Sequence, residues 1–261
     1  MLNITAIPAL SDNYIWLLQR TGSKSVVIVD PGETRRILRL IDEQGLEPVA
    51  LLITHHHADH TGGIAELLQR FPVMSVYGPT NEVVRGITHQ LKQDDRITID
   101  ALDVSFEVLD VPGHTRGHIA FYSEVEKVLF CGDTVFGCGC GRLFEGSAEQ
   151  MTESFKKIMA LPPQTKMYCG HEYTLDNIGF ARWVEPNNTD LLQRDDDDMA
   201  RQEQGFPTVP FTLEMELKTN PFLRFREPVV IQAAEQFSEK KLNSDAEVFG
   251  AIRRWKDTEY D

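Results

Sequence analysis

The stretch Thr54-His55-His56-His57-Ala58-Asp59-His60 constrains this chain more than any other. It places four of the eight histidines, with an aspartate, in one short segment. It follows the apolar run Val49-Ala50-Leu51-Leu52-Ile53, which reads as a buried strand, and precedes Gly62-Gly63 and the helically spaced Ile64-Ala65-Glu66-Leu67-Leu68-Gln69. The cluster therefore sits on a strand-to-helix loop, at the strand end where open α/β sheets bind ligands. In an extended segment residues two apart face the same way, so His55 and His57 can reach one ion together while His56 points elsewhere. Asp59 and His60 come after the turn and suit a second ion. Neutral imidazole and carboxylate are ligands for zinc, iron and manganese.

One loop cannot complete two coordination spheres, so further donors are expected where other strands end. Phe106-Glu107-Val108-Leu109-Asp110-Val111 leads into Pro112-Gly113-His114-Thr115-Arg116-Gly117-His118. Val128-Leu129-Phe130-Cys131 leads into Gly132-Asp133-Thr134, and Lys166-Met167-Tyr168-Cys169 into Gly170-His171-Glu172-Tyr173. Each is an apolar strand, then a glycine, then a histidine or aspartate. Glycine lets the backbone turn sharply and approach an ion closely.

These segments carry a resemblance. THHHADH matches the T-H-x-H-x-D-H signature of metallo-β-lactamase-fold hydrolases, and PGHTRGH, FCGDT and GHEYT follow in the order that fold requires. With IPALSDNY (7–14), GCGRLFEGS (139–147), TNPFLR (219–224) and AIRRWKD (251–257), the chain resembles the glyoxalase II (hydroxyacylglutathione hydrolase) family over essentially its full length. The resemblance implies one ion held by His55, His57 and His114, a second by Asp59, His60 and His171, and Asp133 between them. Asp133, His55, His57, Asp59 and His60 would be the catalytic set. Two divalent ions about 3.5–4 Å apart repel strongly, and an anion between them screens that repulsion. With Asp59, Asp133 and a hydroxide, the site keeps a charge of about +1, fit to polarise a carbonyl.

The implied reaction is hydrolysis of the thioester S-D-lactoylglutathione to D-lactate and glutathione, by a hydroxide bridging two metal ions. Zinc comes first as the metal, with iron or manganese as alternatives. Arg142, Phe144, Tyr173, Arg253 and Lys256 would bind the glutathione moiety. Phe144 stands where many members of the family carry a tyrosine, so one hydroxyl contact is lost. With the ligands thus assigned, His118 falls to a hydrogen-bonding role and His89 to the surface. Rival readings are a single-iron persulfide dioxygenase, a lactonase or β-lactamase on the same fold, and a metal-binding scaffold without activity.

Composition narrows the partners. The 261 residues carry a formal net charge of −14, which argues against a nucleic-acid partner and makes any anion site a local one. Their 41% apolar content and mean hydropathy of −0.28 suit a soluble protein. No signal peptide or membrane span is expected. Cys131, Cys138, Cys140 and Cys169 read as reduced thiols of a cytoplasmic protein, with Cys138 and Cys140 packing a loop rather than binding metal. A monomer acting on a small thioester is expected.

Periodicity places strands at 3–7, 14–19, 25–29, 48–54, 75–77, 104–108, 119–123, 127–131 and 166–170. Helices are expected at 33–44, closed by Gly45, and at 62–70 and 148–160. The alternation suggests two halves packed sheet to sheet with helices outside, an α+β fold of αββα four-layer type. After Tyr173 the chain reads as mostly helical, at 175–184, 190–204, 227–237 with Pro228 in the first turn, and 245–257 capped by Asp245. The expected domains are 1–173, catalytic, and 174–261, helical and substrate-binding. Asp30, at the end of a buried strand, is either a turn former or a partner of the ligand histidines. The acidic run at 195–198 reads as a solvated face.

Overall fold

In the computed structural model, which describes residues 1–260, the N-terminal apolar alternation becomes paired strands. The chain divides into two units, one of Met1–Asp110, Thr115–Gly132 and Tyr168–His171, the other of Val111–His114, Asp133–Met167 and residues from Glu172 onward.

In the first unit, β1 (Leu2–Ala9), β2 (Asn13–Arg20) and β3 (Ser25–Val29) run antiparallel. The helix α1 (Arg35–Gln44) then carries the chain to β4 (Glu47–Leu52), which lies parallel to β3. Gly45 closes α1 at φ 60 and donates its N–H to Ile41 O, a conformation that favours glycine. After β4 come α2 (Ala58–Thr61), α3 (Ile64–Arg70), β5 (Ser75–Pro79) and β6 (His89–Leu91), the two strands continuing the parallel half of the sheet. Ile15, Leu17, Val26, Ile28, Leu51 and Val76 pack with Ile37, Ile41, Ile64 and Leu67 of α1 and α3. Their alternating neighbours Trp16, Leu18, Val27, Val29 and Leu52 are buried too, so both faces of this sheet are covered.

A second sheet follows as an antiparallel meander of β7 (Arg96–Ile99), β8 (Val104–Asp110), β9 (Ile119–Ser123) and β10 (Val128–Gly132). Phe106 meets Phe121 and Phe130 edge-on, and Phe130 meets Tyr168 with ring centroids 5.2 Å apart. Trp16 joins the two sheets, with its indole N–H donated to Cys169 O at 2.9 Å and its ring against Tyr168. At the edge where β3 and β4 end, Tyr14 N donates to Gly170 O and Gly170 N to Gly132 O. Strand ends far apart in sequence thus meet along one rim.

The second unit opens with the small hairpin β11 (Val135–Phe136) and β12 (Gly139–Cys140), followed by α4 (Ala148–Met159). A capping box between Ser147 and Gln150 starts α4. The strand β13 (Lys166–Cys169) pairs Lys166 and Met167 with β14 (Phe211–Thr212) in this unit, while its Tyr168 and Cys169 belong to the first. The remaining helices are α5 (Thr174–Val184), α6 (Thr189–Glu203), α7 (Leu213–Thr219), α8 (Pro228–Ser238) and α9 (Asp245–Trp255). Phe155 of α4 and Phe249 of α9 pack edge to face at 5.4 Å. None of the described helices is long and apolar enough to cross a membrane.

The structure adds short elements to the sequence expectations and corrects two of them. β6 and β7 were not foreseen, because strands of three and four residues leave little periodicity to read. Neither were β14 and α7, which fill the interval between two proline breaks. The cap of α9 is Ser244, whose side chain accepts from Glu247 N, so Asp245 is its first helical residue. The acidic run is not wholly a solvated face. Asp198 is buried and accepts from Arg194 at 3.1 Å, and Asp195 pairs with Arg182. Burial raises the Asp198 carboxyl above the usual aspartate range although Arg194 pulls the other way.

Candidate active site

The histidine-rich loop leaves β4 at Leu52 and reaches α2, whose first turn carries Asp59 and His60. Donor atoms of Asp59, His60 and His171 lie within 4.8 Å of one another. His171 arrives from the end of β13 and bridges to Asn13 at the start of β2. His55 and His57 stand beside this group, with Nε2 of His55 3.2 Å from Nδ1 of His57. His56 is partly exposed. His118 is buried and stacks on His55, centroids 4.6 Å apart and planes 18° apart.

Outer partners fix how each ring presents itself. His60 Nδ1 faces a carboxylate oxygen of Asp30 at 3.0 Å, and His171 Nδ1 faces Asp12 at 2.7 Å. A carboxylate only accepts, so both Nδ1 atoms carry the proton and both Nε2 atoms keep a lone pair. Those lone pairs point at Asp59 Oδ2, at 3.5 Å from His60 and 3.4 Å from His171. Thr54 hydroxyl donates to Asp30 at 2.7 Å and so accepts from His55 Nδ1 at 3.0 Å, which leaves the His55 Nε2 lone pair as well.

Asp30 also accepts from Thr54 N at 2.8 Å. Its backbone is left-handed, φ 50, which an aspartate tolerates better than most residues. Of its two sequence readings, partner of the ligand histidines is the one the hydrogen bonds support, and it is a turn residue as well. Gly32 follows because only glycine fits: a Cβ there would lie 1.8 Å from Asp59 O.

Within the second unit, His114 and Asp133 stand together. His114 Nδ1 donates to Arg142 O at 2.8 Å, so its Nε2 lone pair faces Asp133 Oδ2 at 3.5 Å. Lone pairs of three imidazoles thus oppose carboxylate oxygens, an arrangement that suits divalent cations in its chemistry and its tautomers. Gly141 makes this packing possible. A Cβ would come within 2.1 Å of Asp133 O and 2.9 Å of His114 Nδ1. Gly141→Ala is therefore expected to push both candidate donors outward and to weaken the protein's hold on a divalent ion about 10–100-fold, read by zinc competition with a chromophoric chelator. Unchanged affinity would show that the backbone shifts without cost.

The substrate residues expected from sequence all lie in the second unit. The Arg142 side chain is about half exposed, with Nε 3.8 Å from Asp257. Phe144 is exposed and its ring stands 5.3 Å from that of His114. Tyr173 packs edge-on against Phe136. Arg253 is buried, donating to Cys140 O at 3.1 Å and pairing with Asp257 at 2.8 Å. Lys256 is buried too, donating to Asn177 Oδ1 at 2.7 Å with Asp176 at 3.4 Å.

The cysteines belong to the packing. Cys138 sits with Ile178, Ala181 and Leu191, and burial pushes its thiol up to about 12. Burial takes Cys140 to about 11. Sequence reasoning missed Glu82, which accepts from Thr115 Oγ1 and from Gly117 N at 3.0 Å and so braces the segment that follows His114. It also missed Thr54 and Asp12 as partners of ligand rings; acids and hydroxyls at strand ends were the available signal.

Residues 10–171 match the metallo-β-lactamase superfamily model, and residues 172–259 match the model of the hydroxyacylglutathione hydrolase C-terminus. The hydroxyacylglutathione hydrolase of Nitrosomonas eutropha is 47% identical over 98% of this chain and 98% of its own. That of Alkalilimnicola ehrlichii is 49% identical over 98% and 99%. Among solved structures, ETHE1 from Myxococcus xanthus shares the fold with a TM-score of 0.69 at 21% identity, covering 99% of this chain and 93% of that one. The BLEG-1 B3 metallo-β-lactamase does so with a TM-score of 0.64 at 24% identity, covering 85% and 99%. With both family models matched in order and relatives this similar along nearly its whole length, the chain belongs to the hydroxyacylglutathione hydrolase (glyoxalase II) family of the metallo-β-lactamase superfamily.

Proposed function

We propose that the protein hydrolyses S-D-lactoylglutathione to D-lactate and glutathione at a centre of two divalent ions, zinc in the first instance. His55, His57 and His114 would hold one ion, Asp59, His60 and His171 the other, with Asp133 available to both. The observation that carries this reading is the set of rings whose Nδ1 protons are taken by Asp30, Asp12, Thr54 and Arg142 O, so that each Nε2 is a ready ligand. Covalent continuity supports the shared aspartate. Asp133 follows Gly132, whose carbonyl accepts from Gly170 N, one residue before His171.

Bound ions lower the pKa of water toward about 7 and polarise the thioester carbonyl. The leaving thiolate has a free pKa near about 8.5 and departs without a general acid, which fits a site whose histidines are committed as ligands. Arg142, Phe144, Tyr173, Arg253 and Lys256 hold the glutathione end. Arg253 and Lys256 do so by exchanging Asp257 and Asp176 for substrate carboxylates. The division of labour runs near residue 173: the proposed metal ligands all lie before it, and the helical region after it adds Arg253 and Lys256 to the glutathione contacts begun by Arg142, Phe144 and Tyr173. The protein works as a monomer in the cytoplasm, where thiols such as that of Cys138, hydrogen-bonded to Thr219, stay reduced.

Lactoylglutathione, a lactone and glutathione persulfide, assayed side by side with metal analysis, test the proposal. Turnover of the thioester alone, lost on chelation and restored by zinc, is the expected result. Normal turnover by a folded, metal-depleted protein would refute it.

A further inference from the structure

The hairpin of β11 and β12 is too small to hold its own shape, since even larger isolated hairpins are marginal in water. Its turn is Gly137-Cys138, with Cys138 in the left-handed region at φ 53. Buried side chains from the C-terminal helices fix its backbone group by group. Asn220 donates to Phe136 O at 3.3 Å and to Gly139 O at 2.9 Å. Asn177 donates to Gly137 O at 3.0 Å, and Glu216 accepts from Cys138 N at 2.9 Å. Arg253 takes Cys140 O.

The clamps are held in turn. Glu216 accepts from Asn220 at 2.8 Å and pairs with Arg194 at 2.6 Å, and Arg194 also donates to Thr219 Oγ1 at 2.7 Å. Arg194, Glu216 and Asn220 are all buried. Packing helices together does not require this. A buried ion pair costs desolvation that apolar residues of similar volume avoid. What the network supplies is a fixed backbone position for the hairpin.

That position matters because of what flanks it. Asp133 precedes β11 by two residues. Arg142, whose carbonyl holds the His114 proton, follows β12 by two residues. We infer that Glu216 and Asn220, anchored by Arg194, are positioning residues that act through the hairpin to set Asp133 and His114 as metal ligands. The inference rests on the metal centre of the proposed function, and it gives the helical tail a task besides substrate binding.

Asn220→Leu removes both donors while keeping the branched outline and the number of side-chain heavy atoms, and Glu216→Leu removes the acceptor. Each is expected to weaken zinc binding about 10–100-fold and to alter the visible spectrum of the cobalt-substituted protein. Where metal is saturating, kcat is expected to fall about tenfold with KM little changed. Glu216→Gln keeps an acceptor for Cys138 N and should restore much of the affinity lost in Glu216→Leu. The control is Glu185→Leu, which breaks the buried Arg224–Glu185 pair of the same unit without touching the hairpin. It should lower Tm and leave zinc affinity and the cobalt spectrum alone.

Should Asn220→Leu fail to fold, Asn177→Ser carries the same zinc-affinity and spectral expectation through Gly137 O, but not the kinetic one, because Asn177 also accepts from Lys256. If the network variants lose Tm as the control does yet bind zinc like the wild type, the network is only structural and the inference falls. The binding and spectral readouts use no substrate. A wild-type protein that held two ions but left the thioester intact would therefore defeat the assigned reaction and not this inference.

Discussion

Asp133→Ala is expected to lower kcat/KM for S-D-lactoylglutathione by about 10³ or more, with loss of bound metal rather than loss of fold. Asp133 is buried, its Oδ2 faces the His114 lone pair at 3.5 Å, and its carbonyl is pressed against Gly141. Of the proposed ligands only Asp59 and Asp133 are anionic, so removing one takes away half of the side-chain charge that offsets two divalent ions. The six remaining ligands are neutral rings and Asp59, which can retain one ion more readily than two. The checks are metal-to-protein stoichiometry and steady-state kinetics on the same preparation, with circular dichroism to show that the fold survives. A variant that retained both ions and a tenth of the activity would sink the assignment of Asp133 as the shared ligand.

Asp30→Asn is expected to be the most damaging change at a residue that touches no ion. It is nearly isosteric, and asparagine tolerates the left-handed backbone at φ 50. The amide nonetheless turns one acceptor into a donor. Asp30 accepts from Thr54 N through Oδ1 and from Thr54 Oγ1 and His60 Nδ1 through Oδ2, so either orientation of the amide sets N–H against N–H or O–H. The buried groups left without an acceptor cost about 2–4 kcal/mol in stability. The effect on the site is separate. With no acceptor, His60 can move its proton to Nε2 and lose the lone pair that faces Asp59, weakening zinc binding about 10–100-fold. Thermal melts and zinc competition measure the two effects independently. Wild-type zinc affinity in a destabilised Asp30→Asn would show that the carboxylate braces the loop without setting the ring.

The candidate donors of the proposed metal centre could be picked out at strand ends, because an apolar run, a glycine and a histidine or aspartate make a local signal. Local signals also marked Gly45 as a helix stop and Pro228 as a helix start, and both stand where they were expected. What escaped reading depends on partners far apart in sequence. Asp30 could be narrowed to two roles but not to one, since its role lies in Thr54 and His60. The run at 195–198 looked like solvated charge because nothing near Asp198 shows that Arg194 is buried against Glu216 from another helix. Arg253 and Lys256 could be placed by resemblance, but their burial and their contacts with Cys140, Asp257, Asn177 and Asp176 are visible only in three dimensions. Glu82, in a stretch without periodicity, gave no hint that it braces Thr115 and Gly117.

The short pairing of Lys166 and Met167 with Phe211 and Thr212 bears on where this chain could be cut. The strand that delivers His171 is zipped along its first half to residues some forty positions downstream, beyond the point where the family models change at residue 172. A fragment ended there would bare a row of backbone N–H and C=O groups, the kind of raw border on which chains stick to one another. The segment at 211–212 is thus no detachable trimming: it hems the strand that runs on to His171.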